Sequence, residues 1–462
     1  MNVILAGYNL DAEVIEGLKR GELKRDDITP EVLSASYARI SRDPRPINEL
    51  RAAARAEVGK ARKSNQNIIF KMGHHSVAEH AVFNFDLIGL SRLALEELER
   101  FRLSSYTEKS QRYQTLEDNY LIPHEIDNSS HKTLFKETIE MQNSAYHQFV
   151  GKNIPPEDAR YITSLSTLGQ VGVTLNARNL ELLFRRFASN PLLEIQTLGR
   201  EMYNRVRAIA PSIILFTEAN ALDRDTYPNL KAITKNIKFN KDKIKIDEVE
   251  LADYTKTADE MLIASLLFVS SDQSFKNCIK HSKSLDKKEK TEIIKTALKN
   301  MEFYDSTLRE FEFIDLTYDM IISAACFGQL KRHRMATLTY QNYDPELGLT
   351  IPPEVIKAGL EKEFKKIAEV TEKAYYKIAE DLPDAAPYIL TNAHRRKVLI
   401  KCNARELYHI SRLREDSHAQ WDIMNISKKM SALAKEVMPL ALLTICGKDS
   451  YAEVYKEVFG VR

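Results

Sequence analysis

Several uncommon local patterns in this sequence occur twice at a nearly constant spacing. Arg100-Phe101-Arg102 recurs as Arg332-His333-Arg334, Asn176-Ala177-Arg178 recurs as Asn403-Ala404-Arg405, and the helix end before Pro211 recurs before Pro439, at spacings of 232, 227 and 228 residues. Three repeats in the same order, each offset by close to half of the 462 residues, define two homologous halves. Between them, Asp223 to Asp253 is rich in Lys, Asn and Asp, and Lys243-Ile244-Lys245-Ile246 reads as the approach to a strand. The expected organisation is therefore a domain over 1–222, a linker over 223–253 and a second domain over 254–462.

Each half follows the same plan. A short strand and helix lead to an alternating segment, Val82 to Leu87 in the first half and Glu310-Phe311-Glu312-Phe313 in the second, with the period of a half-buried strand. A helix follows, carrying Leu93, Leu95 and Leu98, or Ile321, Ile322 and Ala325, and it ends at the paired arginines. Further helices contain Glu201 to Val206 and Lys428 to Lys435. Strands mixed with long helices, without regular strand–helix alternation, predict an α+β fold in which each half is a twisted mixed or antiparallel sheet with long flanking helices.

With 44% hydrophobic and 29% charged residues the chain can bury proper cores. Its 67 basic side chains nearly balance 65 acidic ones, which speaks against capture of nucleic acid by bulk charge. The apolar run at Val3 to Ala6 is short and has no basic residue ahead of it, and no apolar stretch approaches the roughly 20 residues of a membrane helix, so a cytoplasmic location is expected. Cys278, Cys326, Cys402 and Cys446 lack the spacing of a zinc or redox motif and read as buried thiols.

Two segments carry chemistry. Arg100-Phe101-Arg102 followed after seven residues by Ser110-Gln111-Arg112-Tyr113 joins a hydroxyl, backbone N–H groups and a guanidinium fork, a receptacle suited to a phosphate dianion; the plainer reading is a solvated helix end with cations favourably placed at its carboxyl terminus. Gly73-His74-His75-Ser76-Val77-Ala78-Glu79-His80 concentrates histidines, but no pair has the spacing that sets two ligands on one helical face, and the second half has Asp305 to Glu310 there, so no metal site is expected. The Lys276 to Lys299 run reads as a solvated helix face, with RNA contact the sharper alternative.

Taken together, Arg100-x-Arg102, seven residues and Ser110 resemble the signature of the flavin-dependent thymidylate synthases, the thymidylate synthase-complementing fold. The second half resembles the same family through Gln329-Leu330-Lys331-Arg332-His333-Arg334, and through Asn403-Ala404-Arg405 leading to Arg414-Glu415-Asp416-Ser417-His418-Ala419-Gln420-Trp421. The resemblance implies transfer of a folate-borne methylene to C5 of dUMP or a related pyrimidine nucleotide, with FAD as cofactor and NAD(P)H as reductant. It implies Gln329, Arg332 and Arg414 as the catalytic, base-facing set, and Ser110, Gln111, Arg112 and Arg160 as further nucleotide contacts. For the flavin it points to His74, Ser76, Glu79, Thr307, Glu310, Arg332, His333, Arg334, Asn403, Arg405 and His409, while Asn176 and Arg178 serve the opposite face or hold the fold.

The halves depart from the family in complementary ways. The first keeps Ser110, Arg112 and Arg160 but has Glu97, Phe101 and Phe187 where the family's Gln, His and base-facing Arg are expected. The second keeps Gln329, Arg332, His333, Arg334 and Arg414, with Asn342, Asp344 and Pro387 at the phosphate positions. An Asp there repels a dianion, and a Glu beside the uracil opposes developing negative charge. One composite site, phosphate loop from one half and base platform from the other, can still be assembled, and a homodimer would mimic the family's tetramer. Two other readings stay open: a flavin- and folate-dependent methyl or hydroxymethyl transferase on another pyrimidine nucleotide, and a catalytically silent nucleotide- or flavin-binding paralogue.

Overall fold

The computed structural model describes residues 1–21, 28–112, 116–239 and 247–460. It forms two compact units, and each includes a stretch of the other half's sequence. The first comprises Met1–Gln148, Thr163–Lys241 and Glu369–Leu390; the second comprises Phe149–Ile162, Asp242–Ala368 and Thr391–Arg462.

Alternating side chains build one four-stranded antiparallel sheet in each unit. In the first, β1 (Asn2–Tyr8), β2 (Val82–Ser91), β3 (Ser104–Glu108) and β4 (Leu168–Asn176) lie in the order β1-β2-β4-β3. In the second, β5 (Val249–Tyr254), β6 (Asp315–Ser323), β7 (Thr337–Tyr340) and β8 (Arg395–Asn403) repeat it as β5-β6-β8-β7. The duplication is thus one of topology as well as of motifs, and the α+β expectation holds. Register follows the apolar face: Phe83, Phe85 and Leu87 oppose Leu175, Val173 and Val171, while Leu316, Tyr318 and Met320 oppose Cys402, Ile400 and Val398. A one-residue slip would turn either set toward water, which is why both pairings are firmly specified.

The recurring Asn-Ala-Arg now has a local cause. Asn176 ends β4 and Asn403 ends β8, and each side-chain oxygen caps the helix that follows by accepting from the backbone N–H of Asn179 at 3.0 Å or of Glu406 at 2.9 Å. Serines do the same at the preceding strands. Ser91 caps the helix Arg92–Leu98 and Ser323 caps the helix Ala324–Leu330.

Two expectations fail in the second half. Arg309–Phe313 is a 3₁₀ turn, not a strand, because Phe311 is buried edge-on to Tyr408 while Phe313 stays exposed and the Glu312 carboxylate turns to Arg405. Ile321 and Ile322 belong to β6, their β-branched side chains on opposite sheet faces, and the helix begins only after Ser323. The stretch 223–253 carries most of the helix Ala221–Lys235, closed at its start by reciprocal hydrogen bonds of Asn220 and Asp223, and most of β5. The reading of Lys243 to Ile246 falls outside the described residues. The lysine run forms the helices Phe275–Ser284 and Lys287–Leu298, which bury Cys278, Ser282, Ile294 and Leu298 and leave Lys276, Lys283 and Lys288 exposed. Cys278, Cys326 and Cys402 are buried; Cys446 is only half-buried. No helix among the described residues is long and apolar enough to cross a membrane.

Candidate functional site

In the second unit, two capped helices bring Gln329, His333 and Arg414 together. The helix Ala324–Leu330 carries Gln329 in its last turn and leads into Arg332-His333-Arg334; the helix Ala404–Arg414 carries Arg405 and His409 and ends on Arg414. Arg414 Nε donates to His333 Nε2 at 2.9 Å, and its Nη2 donates to the Gln329 carbonyl at 3.2 Å. A guanidinium can only donate, so His333 Nε2 is the acceptor and the ring proton sits on Nδ1, 3.6 Å from Glu406 Oε1. Burial, with Arg414 and His409 adding to it, holds the His333 pKa well below the usual histidine range. The contact with Glu406 is therefore a neutral ring facing a carboxyl group whose own pKa burial raises, and not an ion pair. His409 is exposed, with its ring edge-on to His333 at 5.7 Å; Arg332 and Arg334 are exposed.

A second group of side chains backs this platform. Gln329 Nε2 donates to Gln420 Oε1 at 3.4 Å, Gln420 Nε2 donates to the Tyr161 hydroxyl at 2.9 Å, and Tyr161 donates to Asp422 Oδ2 at 3.0 Å. Ser323 donates to the same carboxylate oxygen at 2.6 Å. The Tyr161 ring stacks on Trp421 at 5.6 Å, and Trp421 Nε1 donates to Asp158 at 2.8 Å. Burial raises the Asp422 pKa, opposed by its two hydroxyl donors. Arg160, next to Tyr161 in the chain, is buried in this unit, its Nε donating to the Glu157 carbonyl at 3.1 Å and its own carbonyl accepting from Asn392.

The first unit places Ser110, Gln111 and Arg112 in the loop after β3, where the Ser110 hydroxyl accepts from the Arg112 N–H at 3.2 Å and Gln111 is buried. Tyr113 lies outside the described residues. Glu97 pairs with Arg100 at 2.9 Å, and Phe101 meets Phe187 edge-on at 5.8 Å. His74 and Ser76 are exposed, and Glu79 pairs with Arg178. Pro387 is buried in this unit, while in the second Asn342 is exposed and Asp344 caps the turn Pro345–Leu347.

Among the flavin candidates of the second unit, Thr307 is most informative. Its carbonyl accepts from Arg405 Nε at 2.9 Å, and the same guanidinium grips Glu312 at 2.6 Å. Its hydroxyl, buried and held by that clamp, has no hydrogen-bond partner among the described residues. Glu310 is half-buried on the neighbouring turn, and the Asn403 oxygen is occupied as a helix cap. Asp416, His418 and Asp449 converge to within 4.8 Å, but Lys448 already sits 3.1 Å from Asp416 and neutralises it.

Sequence reading missed Tyr161, Gln420 and Asp422. The signal was present: Tyr161 recurs as Tyr388, Asp422 answers Glu194 and Ser323 answers Ser91, at spacings of 227, 228 and 232. In the first unit Tyr388 donates to Glu194 at 2.7 Å and Ser91 at 2.6 Å, the same three-residue node.

Comparison with known proteins agrees with this duplication. The family model described as "Thymidylate synthase complementing protein" matches twice, over residues 23–212 and 250–440. A flavin-dependent thymidylate synthase of Geobacter sulfurreducens is 33% identical over 189 residues, covering 40% of this chain and 80% of its own length. A UPF0159 protein of Chlamydia pneumoniae is 22% identical over 423 residues, covering 83% of this chain and 79% of its own. Among solved structures, a UMP/dUMP methylase of Streptomyces cacaoi bound with 5-Br dUMP is 17% identical, with a TM-score of 0.36, over 46% of this chain and 92% of that one.

Proposed function

The chain belongs to the thymidylate synthase complementing protein family, and on that premise we propose that it is a flavin-dependent thymidylate synthase that methylates C5 of a uracil deoxynucleotide. The observation that supports the reading is the cluster of the second unit in which Arg414 donates to a neutral His333 and to the Gln329 carbonyl, next in the chain to the exposed Arg332. When C5 of uracil acts as a nucleophile, negative charge develops on the ring carbonyls. Fixed donors aimed there stabilise it without any nucleophilic Ser or Cys. His333 serves by orienting Arg414; as an acceptor at Nε2 it leaves the guanidinium charge intact for the base.

The nucleotide phosphate is assigned to Ser110, Gln111, Arg112 and Arg160, and the base to Gln329, Arg332 and Arg414, giving about one competent site per chain. The active species is a homodimer, with 5,10-methylenetetrahydrofolate as methylene donor and NAD(P)H as reductant. The flavin is FAD, and the residues fit it: the buried Thr307 hydroxyl lacks a partner among the described residues, and Arg405 is locked against Thr307 and Glu312. The candidates to hold it are Thr307, Glu310, Arg332, Arg334, Asn403, Arg405 and His409 of the second unit and, separately, His74, Ser76 and Glu79 of the first. When bound, FAD supplies the electron transfer that these side chains cannot.

A yellow preparation that releases tritium from C5-labelled dUMP, dependent on flavin, folate and reductant, is the expected result. A colourless protein that gives no release with all components present would overturn the reading. Light scattering should give a mass about twice that of one chain; an active monomer would overturn the dimer.

A further inference from the structure

The hydrogen bonds behind Gln329 have only one consistent direction. Asp422 Oδ2 accepts from the Ser323 and Tyr161 hydroxyls, so the Tyr161 oxygen is left as an acceptor and takes the Gln420 Nε2 proton. Gln420 Oε1 independently accepts from the Asp422 backbone N–H at 3.1 Å, capping the helix Trp421–Val437. Both ends of the Gln420 carboxamide are thus assigned by separate partners. Its oxygen then takes one N–H of Gln329. Gln329 is left presenting its oxygen and its second N–H, an acceptor beside a donor, the complement of the N3–H and adjacent carbonyl of a uracil ring. Cytosine, with an acceptor at N3 and an amino group at C4, requires the carboxamide turned over.

The first unit is an internal control. It has the same node of serine, carboxylate and tyrosine in Ser91, Glu194 and Tyr388, yet Leu192 stands where the second unit has Gln420, and Glu97 where it has Gln329. Leu192 is buried, so the fold accepts an apolar side chain at this place. The node belongs to the fold in both units. The two glutamines extend it only where the base platform is present.

We propose that Gln420 and Tyr161 are positioning residues that fix the polarity of the Gln329 carboxamide and so make the site select uracil over cytosine nucleotides. This rests on the nucleotide reading above. The test is titration of the flavin-loaded full chain with dUMP and with dCMP, in the wild type and in Gln420→Leu, Tyr161→Phe and Tyr388→Phe. Gln420→Leu should reduce the ratio of dUMP to dCMP affinity tenfold or more, and Tyr161→Phe should reduce it in the same direction. Tyr388→Phe, which removes the matching hydroxyl from the first unit's node, should leave the ratio unchanged. An unaltered ratio in Gln420→Leu, or an equal fall in Tyr388→Phe, would overturn the proposal. If the wild type binds neither nucleotide, the functional reading fails, and crystal structures decide positioning: a rotated Gln329 carboxamide in Gln420→Leu supports it, an unmoved one overturns it.

Discussion

Phe101 and Phe187 in the first unit occupy the places that His333 and Arg414 occupy in the second, and each pair is in direct contact. One is two aromatic rings edge to face; the other is a guanidinium donating to an imidazole. Both members of the pair differ between the units. A His at the buried position of His333 with its acceptor unfilled would strand a buried polar group at a cost of about 1–3 kcal/mol. In the first unit Glu97 is drawn to Arg100, and the buried Leu192 adds to the apolar Phe101–Phe187 pair. By contrast Ser91, Glu194 and Tyr388 match Ser323, Asp422 and Tyr161 group for group. The node of serine, carboxylate and tyrosine is common to both units, and the pair that differs, His333 with Arg414 against Phe101 with Phe187, sets them apart.

The comparison breaks most readily at Phe187. Its Cβ is so close to Gly199 that a methyl group there would lie 3.0 Å from it. Phe187→Ala should destabilise the first unit by about 3–5 kcal/mol, seen as a lower calorimetric transition, with dUMP affinity retained. Arg414→Ala should do the reverse, weakening dUMP binding ten- to a hundredfold, or about 1.5–3 kcal/mol, in isothermal titration. Similar losses of affinity in both variants would dissolve the distinction between a structural and a binding pair.

A smaller effect separates the pairs by pH. His333 has a folded-state pKa below its ordinary value of 6.5, so the unfolded chain binds the extra proton. Its contribution is complete above pH 6.5 and is lost as pH falls, at up to about 1.4 kcal/mol per pH unit. Denaturation at pH 7 and pH 5.5 should show a steeper acid loss in wild type than in His333→Phe, which copies Phe101. Identical slopes would mean that the imidazole is not held neutral. Smallest of all, Glu97→Ala and Asp344→Ala should leave turnover near wild type and stability within about 0.5 kcal/mol, since one loses a partly exposed ion pair and the other a turn cap. A large fall in turnover for either would place it in a working site.

Much of this was legible because the chemistry was local in sequence. Asn176 and Asn403 are caps written next to the helices they cap, and the alternation in Val82 to Leu87 is a strand pattern whatever surrounds it. Glu310 to Phe313 misled because the same alternation arises where Arg405, 93 residues away in the chain from Glu312, draws the carboxylate into a turn. The Tyr161–Gln420 contact spans 259 residues and joins types common in any core, so only the repeat spacing could have hinted at it.

The stretch Glu369–Leu390 belongs to the first unit, although the rest of that unit ends at Lys241. During synthesis the amino-terminal sheet can therefore pair well before the donor for Glu194, Tyr388, has been made. At about 5–20 residues per second, the roughly 190 residues from Glu194 to Tyr388 take about 10–40 s, an interval in which that carboxylate has Ser91 as its donor but not yet the tyrosine hydroxyl. The first unit therefore closes only once the chain has been made as far as Leu390, far into the second half.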